Sequence, residues 1–140
     1  MGAHRSPVSE TELEVLKALW GHGPATVREL AGVLREQGRE WAYTTVQTLL
    51  NRLQGKGYLD ADTSGVAHVF RPAVNRESFL RQQLADLADT VCGGTATPLV
   101  MALVDGNRLS REELAQLRRL LDEKTGGADS KGQKKEGTGQ

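Results

Sequence analysis

The stretch from Trp41 to Gly57, WAYTTVQTLLNRLQGKG, constrains this chain most, because its pattern admits one secondary structure and one orientation of it. Val46, Leu49, Leu50 and Leu53 recur at the i, i+3, i+4, i+7 spacing of a single helical face. A helix so striped buries that face and turns the other to solvent or to a ligand. Placed at ~100° per residue, Thr44, Gln47, Thr48 and Asn51 point away from the stripe, with Thr45 and Arg52 on its flank. Solvated helix faces usually mix Glu and Lys at i, i+4. This one has no acid and offers hydroxyls, amides and a guanidinium, the groups that hydrogen-bond to phosphates and base edges. Taken alone, the face fits a recognition surface and a threonine-rich solvent surface equally well, and only its neighbours separate the two.

Upstream, Ser9 and Glu12 have capping-box spacing, and Leu13, Leu16, Leu19 and Trp20 follow on one face, so a first helix is expected from Glu10 to Trp20. GHGPAT breaks it, with His22 as a turn residue. Thr26 and Glu29 form a second box, and Val27, Leu30, Ala31 and Leu34 carry the stripe of a second helix up to Gly38. Trp41 is expected to anchor the start of the third helix in the core. Downstream, Gly57 closes that helix as a C′ residue. Tyr58–Asp62 and Ala67–Arg71 then flank the turn Thr63-Ser64-Gly65 as a β-hairpin, with His68 on the returning strand and Pro72 ending it. Two capped helices, a recognition-like third helix and a hairpin are the plan of a winged helix-turn-helix. Residues 1–74 are assigned to this domain, and the overall class is mainly α with a small β-hairpin.

From Asn75 the pattern changes. Leu80, Leu84, Leu87 and Val91 are spaced four, three, four, Asn75 can cap their helix, and Gly93 and Gly94 stop it. A short helix with Thr97 as cap and Pro98 at N1 carries Leu99, Val100, Leu103 and Val104. Ser110 and Glu113 box a last helix with Leu114, Leu117, Leu120 and Leu121. Helices in so short a segment bury too small a fraction of their surface alone. Residues 75–123 are therefore expected to be a helical dimerisation domain whose cheapest partner is a second copy of the chain. Beyond Glu123, KTGGADSKGQKKEGTGQ has no large apolar residue, and 124–140 is expected to be a disordered tail.

Composition narrows the function classes. The net charge is zero, so nucleic-acid binding has to rest on local charge, such as Arg52 and Lys56 on the third helix. A lone Cys92 and three scattered His provide neither a disulfide framework nor zinc spacing, so no metal or cofactor is expected. With no apolar leader in MGAHRSPVSE and no apolar run near the ~20 residues of a membrane span, the expected location is cytoplasmic. An enzyme is disfavoured, because neither Cys92 nor any His has a visible catalytic companion.

The runs LEVLKALWGHGPATVRELAGVL, WAYTTVQTLLNRLQGKGYL and AHVFRP together closely resemble the penicillinase repressor family of BlaI/MecI type, related to the copper-responsive CopY repressors. The likeness spans about Ser9 to Glu123, and its most specific part is AYTTVQTLLNRL followed by KGYL. It implies a homodimeric winged-helix repressor on a palindromic, double-stranded DNA operator. The copper-responsive branch carries a C-terminal cysteine cluster that this chain lacks. The lactam-responsive branch is inactivated through a membrane-bound sensor protease pathway, which implies a cut near Ala102 and Leu103, yet the Asn-Phe pair typical of that branch is absent.

On this reading Thr44, Gln47 and Thr48 are expected nearest the base edges and Asn51 and Arg52 nearer the backbone. Tyr43 and Thr45 are candidate phosphate partners, and Thr63 and Ser64 lie at the wing tip. A Gln47 amide on adenine and threonine methyls on thymine point to an A·T-containing half-site. Two rivals stand beside this one. A winged-helix protein–protein adaptor would present an acidic or apolar third-helix face, and a ligand-sensing winged-helix regulator would need a pocket between its helical halves.

Overall fold

Reciprocal caps set the start of the first two helices. The computed structural model describes residues 5–139, with side chains through residue 126. Helix α1 spans Glu10–His22, and the Ser9 side chain and Glu12 carboxylate each accept the other's backbone N–H. It runs past Trp20 and ends where Gly23 N–H donates to the Leu19 carbonyl. Helix α2, Val27–Glu36, is opened by the same device from Thr26 and Glu29. Helix α3 spans Tyr43–Gly55, shorter than the expected stretch. Trp41 precedes it, half-buried against the core with the Arg39 guanidinium over its ring.

The stripe is buried as its spacing requires: Val46, Leu49, Leu50 and Leu53 pack with Val15, Leu16, Leu19, Leu30 and Leu34 into one core. At the far end of α3, Gly57 takes φ +89°, and Tyr58 N–H donates to the Leu53 carbonyl while Gly57 N–H donates to that of Gln54. This is a Schellman closure, which needs a left-handed residue and so a glycine. It turns the chain directly into strand β2, Leu59–Asp62, which pairs antiparallel with β3, Val69–Pro72.

The sheet departs from the expected hairpin in two ways. Both strands are shorter, so residues 63–68 form the connecting loop, and His68 sits exposed in it rather than on a strand. There is also a third strand, β1, Ala25–Thr26, which pairs with Phe70 and Val69 to give the order β1-β3-β2. Two residues are too few to show a period of two, so that strand exists only through its pairing.

Arg5 to Pro7 are sewn to the end of α3. Arg5 Nε donates to the Gly57 carbonyl, Tyr58 OH to that of Ser6 and Lys56 Nζ to that of Pro7. Lys56 also pairs with the buried Glu12 carboxylate at 2.6 Å, so the charge expected on the helix surface is half-buried and engaged within the fold. Burial pushes the Glu12 carboxyl up, but the Lys56 hydrogen bond and charge and the Ser9 donors outweigh it and hold it below the ordinary value.

Helix α4 spans Arg76–Val91 and is capped by Asn75, whose side chain accepts from Ser78 N–H. The chain divides into two compact units, Met1–Gln83 and Leu84–Gln140, and the division falls inside α4. Phe79 is the reason: its ring meets Trp20 and Tyr58 edge-on at 5.4 and 5.9 Å, and Trp20 Nε1–H donates to the Val74 carbonyl.

The second unit holds the rest of α4, helix α5 at Thr97–Asp105 and helix α6 at Arg111–Gly139. Ala96, not Thr97, is the N-cap of α5, because its carbonyl accepts the first helical bonds from Leu99 and Val100. The Ser110–Glu113 box opens α6. The stretch expected to be a disordered tail begins as helix at Lys124, Thr125 and Gly126, and the side chains after these lie outside the described residues.

Candidate nucleic-acid interface

The face of α3 opposite the core is wholly exposed. Tyr43, Thr44, Thr45, Gln47, Thr48, Asn51 and Arg52 are all open to solvent, while each apolar residue between them is buried. The first turn contains no acidic residue, and Ala42 as N-cap gives no side-chain hydrogen bond. In α1 and α2, by contrast, the cap and a first-turn glutamate occupy the helix N-terminus. The positive end of the α3 dipole is therefore not covered by a side chain of its own cap.

The exposed residues fall on two ridges. Tyr43, Gln47 and Asn51, at i, i+4, i+8, line a cleft of about 500 Å³ with the loop residues Val66, Ala67 and His68 and with Thr26, Val27 and Arg28 at the start of α2; Phe70 lies at its floor, being buried. Thr44, Thr45, Thr48 and Arg52 lie outside this cleft. Spacing sets Gln47 on one face with Thr44, Thr48 and Asn51; of these only Asn51 shares the cleft with it, together with Tyr43.

Thr63 and Ser64 are exposed, but neither lines the cleft. Ser64 donates both its N–H and its hydroxyl to Asp62 Oδ1, at 3.0 and 2.7 Å. Those bonds lower the Asp62 carboxyl below its ordinary value and use the donor that Ser64 would offer a phosphate. Arg28, Val66 and His68 escaped the sequence reading. Arg28 had one signal: a cation in a first helical turn opposes the dipole and needs a reason. Val66 had another, as a lone large apolar residue in a polar turn.

Ala102 and Leu103 lie in mid-helix on α5, and Gly106 N–H donates to the Ala102 carbonyl. In the second unit Ala88 is the buried residue among those described, and Leu84, Leu87, Val91, Val100, Met101, Leu103, Val104, Leu114, Leu120 and Leu121 are exposed; Leu80, in the first unit, is exposed as well. Leu99 and Leu117 are half-buried. Among the described residues no group of His, Cys, Asp or Glu could hold a metal ion, and no helix is long and apolar enough to cross a membrane.

Known proteins resemble the chain over most of its length. The penicillinase repressor of Bacillus licheniformis is 29% identical over 116 residues, covering 83% of this chain and 90% of that protein. The transcriptional regulator BlaI of Mycobacterium tuberculosis is 30% identical over 118 residues, covering 83% of each. Among solved structures, the DNA-binding domain of the repressor BlaI is 31% identical and covers 54% of this chain and 90% of that one, with a TM-score of 0.47. Residues 8–123 match the profile described as Penicillinase repressor, and with that span matched the chain belongs to the penicillinase repressor family.

Proposed function

We propose that this chain is a DNA-binding transcriptional repressor that binds a palindromic operator as a homodimer, with α3 of each winged helix in the major groove. The observation that carries this reading is the division of α3, whose four apolar residues are sealed in the core while its acid-free polar face is exposed. Both relatives named above carry regulatory names, as a repressor and as a transcriptional regulator. An adaptor binding protein through α3 would present acidic or apolar residues there, whereas the exposed face of α3 has no acid and, beside the Tyr43 ring, consists of hydroxyls, amides and a guanidinium.

In this reading Thr44, Gln47 and Thr48 contact base edges, Tyr43, Thr45, Asn51 and Arg52 contact the backbone, and Thr63 lies over the sugar–phosphate chain beside the groove. The homodimer is supported by the exposure of most large apolar residues of the second unit, among them Leu84, Leu87, Val91, Leu103 and Leu121. Cleavage near Ala102 and Leu103 through a sensor protease pathway would have to open α5 first, since both residues are held in a helical turn.

The test is selection of duplexes from random-sequence DNA by the full chain, followed by gel shift on the enriched inverted repeat. Gln47→Ala is expected to lose ~1–3 kcal/mol, concentrated at one base pair per half-site. An equal loss on every sequence would demote Gln47 to a backbone contact, and failure to enrich any duplex would refute DNA binding.

A further inference from the structure

We propose that the wing of this chain holds DNA by an apolar tip, Val66, and that the ionic contact to the strand lying between wing and α3 comes from Arg28 across the cleft. The proposal rests on the DNA-binding reading above and adds which residues flank that strand and by what force each acts.

The wing loop, residues 63–68, reads TSGVAH and contains no lysine or arginine. Its nearest fixed charge is the Asp62 carboxylate, fastened by both Ser64 donors at the base of the turn. Arg71 on β3 acts on that carboxylate, but the tip itself brings no cation to a phosphate, so its contact bears on the apolar parts of a strand, the deoxyribose carbons or a thymine methyl. Val66 suits that contact. Its exposure is as great as that of an unfolded residue, at 107%, while Gly65 and Ala67 on either side are too small to compete with it. Single exposed valines are common on protein surfaces. This one also lines the cleft shared with Tyr43, Gln47 and Asn51, so it continues the polar face of α3 rather than standing apart from it.

Arg28 stands on the other wall of the same cleft. It lies in the first turn of α2, where the helix dipole disfavours a cation, and it makes no ion pair among the described residues. The α2 N-terminus itself is closed by Thr26 and Glu29, so a phosphodiester in the cleft would meet the Arg28 guanidinium, for which it would supply the counter-charge. The strand would then be flanked by an apolar wing and a cationic α2, with the readers of α3 between them.

The test uses the full chain and the duplex enriched by the wild type. Val66→Ser is expected to weaken binding about tenfold, as partial burial of one valine would supply, with an unchanged slope of log K against log salt. Val66→Leu is expected to keep wild-type affinity, and Arg28→Met to reduce the salt slope by about one. Wild-type affinity in Val66→Ser, or a loss accompanied by a changed slope, overturns the apolar wing; an unchanged slope in Arg28→Met overturns the ionic contact. Thermal melts equal to wild type exclude misfolding, which is expected because both side chains are exposed. If the wild type enriches a duplex and Gln47→Ala weakens it while Val66→Ser does not, this proposal fails alone. If the wild type enriches nothing, the DNA-binding reading fails and takes this one with it.

Discussion

Replacing Lys56 with methionine should destabilise the first unit more than any surface change, and the structure gives the size of the effect. Lys56 Nζ lies 2.6 Å from Glu12 Oε1 and 2.8 Å from the Pro7 carbonyl oxygen. The Lys56 side chain is 27% exposed and that of Glu12 only 3%. Methionine keeps the stem and removes the charge, leaving a carboxylate shut off from water with Ser9 as its remaining hydrogen-bond partner. Removing one partner of a fully buried pair costs ~3–5 kcal/mol; with Lys56 partly solvated and the Ser9 bond kept, a loss of ~2–3 kcal/mol follows. In urea this is a midpoint lowered by roughly 1–2 M. Unfolding can be followed by the fluorescence of Trp20 and Trp41, at one protomer concentration because a dimer's stability depends on it.

The pH dependence supplies a second check. In the wild type the folded Glu12 carboxyl titrates below its ordinary 4.5, so the stability it contributes is fully present above that value and is lost as pH falls through the lower folded one. Without Lys56, burial dominates and raises the carboxyl, so the variant is relieved by protonation as pH falls. The gap between the two proteins should therefore be widest near neutrality and narrow toward about pH 4. A gap under about 0.5 kcal/mol at pH 7, or one constant across that range, would refute the reasoning. Adding Glu12→Gln to Lys56→Met should recover about 1–2 kcal/mol by removing the stranded charge.

Leu84→Asp and Leu117→Asp are each expected to give monomers by sedimentation with weakened operator binding, since both place a charge on an apolar face of the second unit; stable dimers from both would eliminate that interface. Gly57→Ala should lower stability by about 1–2 kcal/mol, because alanine at φ +89° is strained and its Cβ would stand 3.3 Å from Arg5 Nε; an unchanged melt would show that the chain relaxes there at no cost.

Much of the fold was legible because its signals are local. The boxes at Ser9, Thr26 and Ser110 each needed two residues three apart, and each forms as spaced. Gly57 was readable as a C′ residue because no side chain is tolerated well at its φ. Features made by residues far apart in sequence were not legible. Strand β1 exists through its pairing with Phe70 and Val69, and the first turns of α4 join the first unit through Phe79 on Trp20 and Tyr58. Lys56 read as a surface cation because nothing in its own helix signals Glu12 on α1.

The candidate interface divides along the same line. Periodicity alone determined which face of α3 is sealed and which is free, because burial of Val46, Leu49, Leu50 and Leu53 leaves the polar residues no other direction. Tertiary structure decided how those polar residues are grouped and what stands beside them. Gln47 joins Tyr43 and Asn51 toward the wing, Ser64 is spent on Asp62, and Arg28 and Val66 face the same cleft from α2 and the loop. A helical pattern acts over one turn and is written in neighbouring residues. A cleft walled by three separate elements is set by chain closure and packing, which no local window contains.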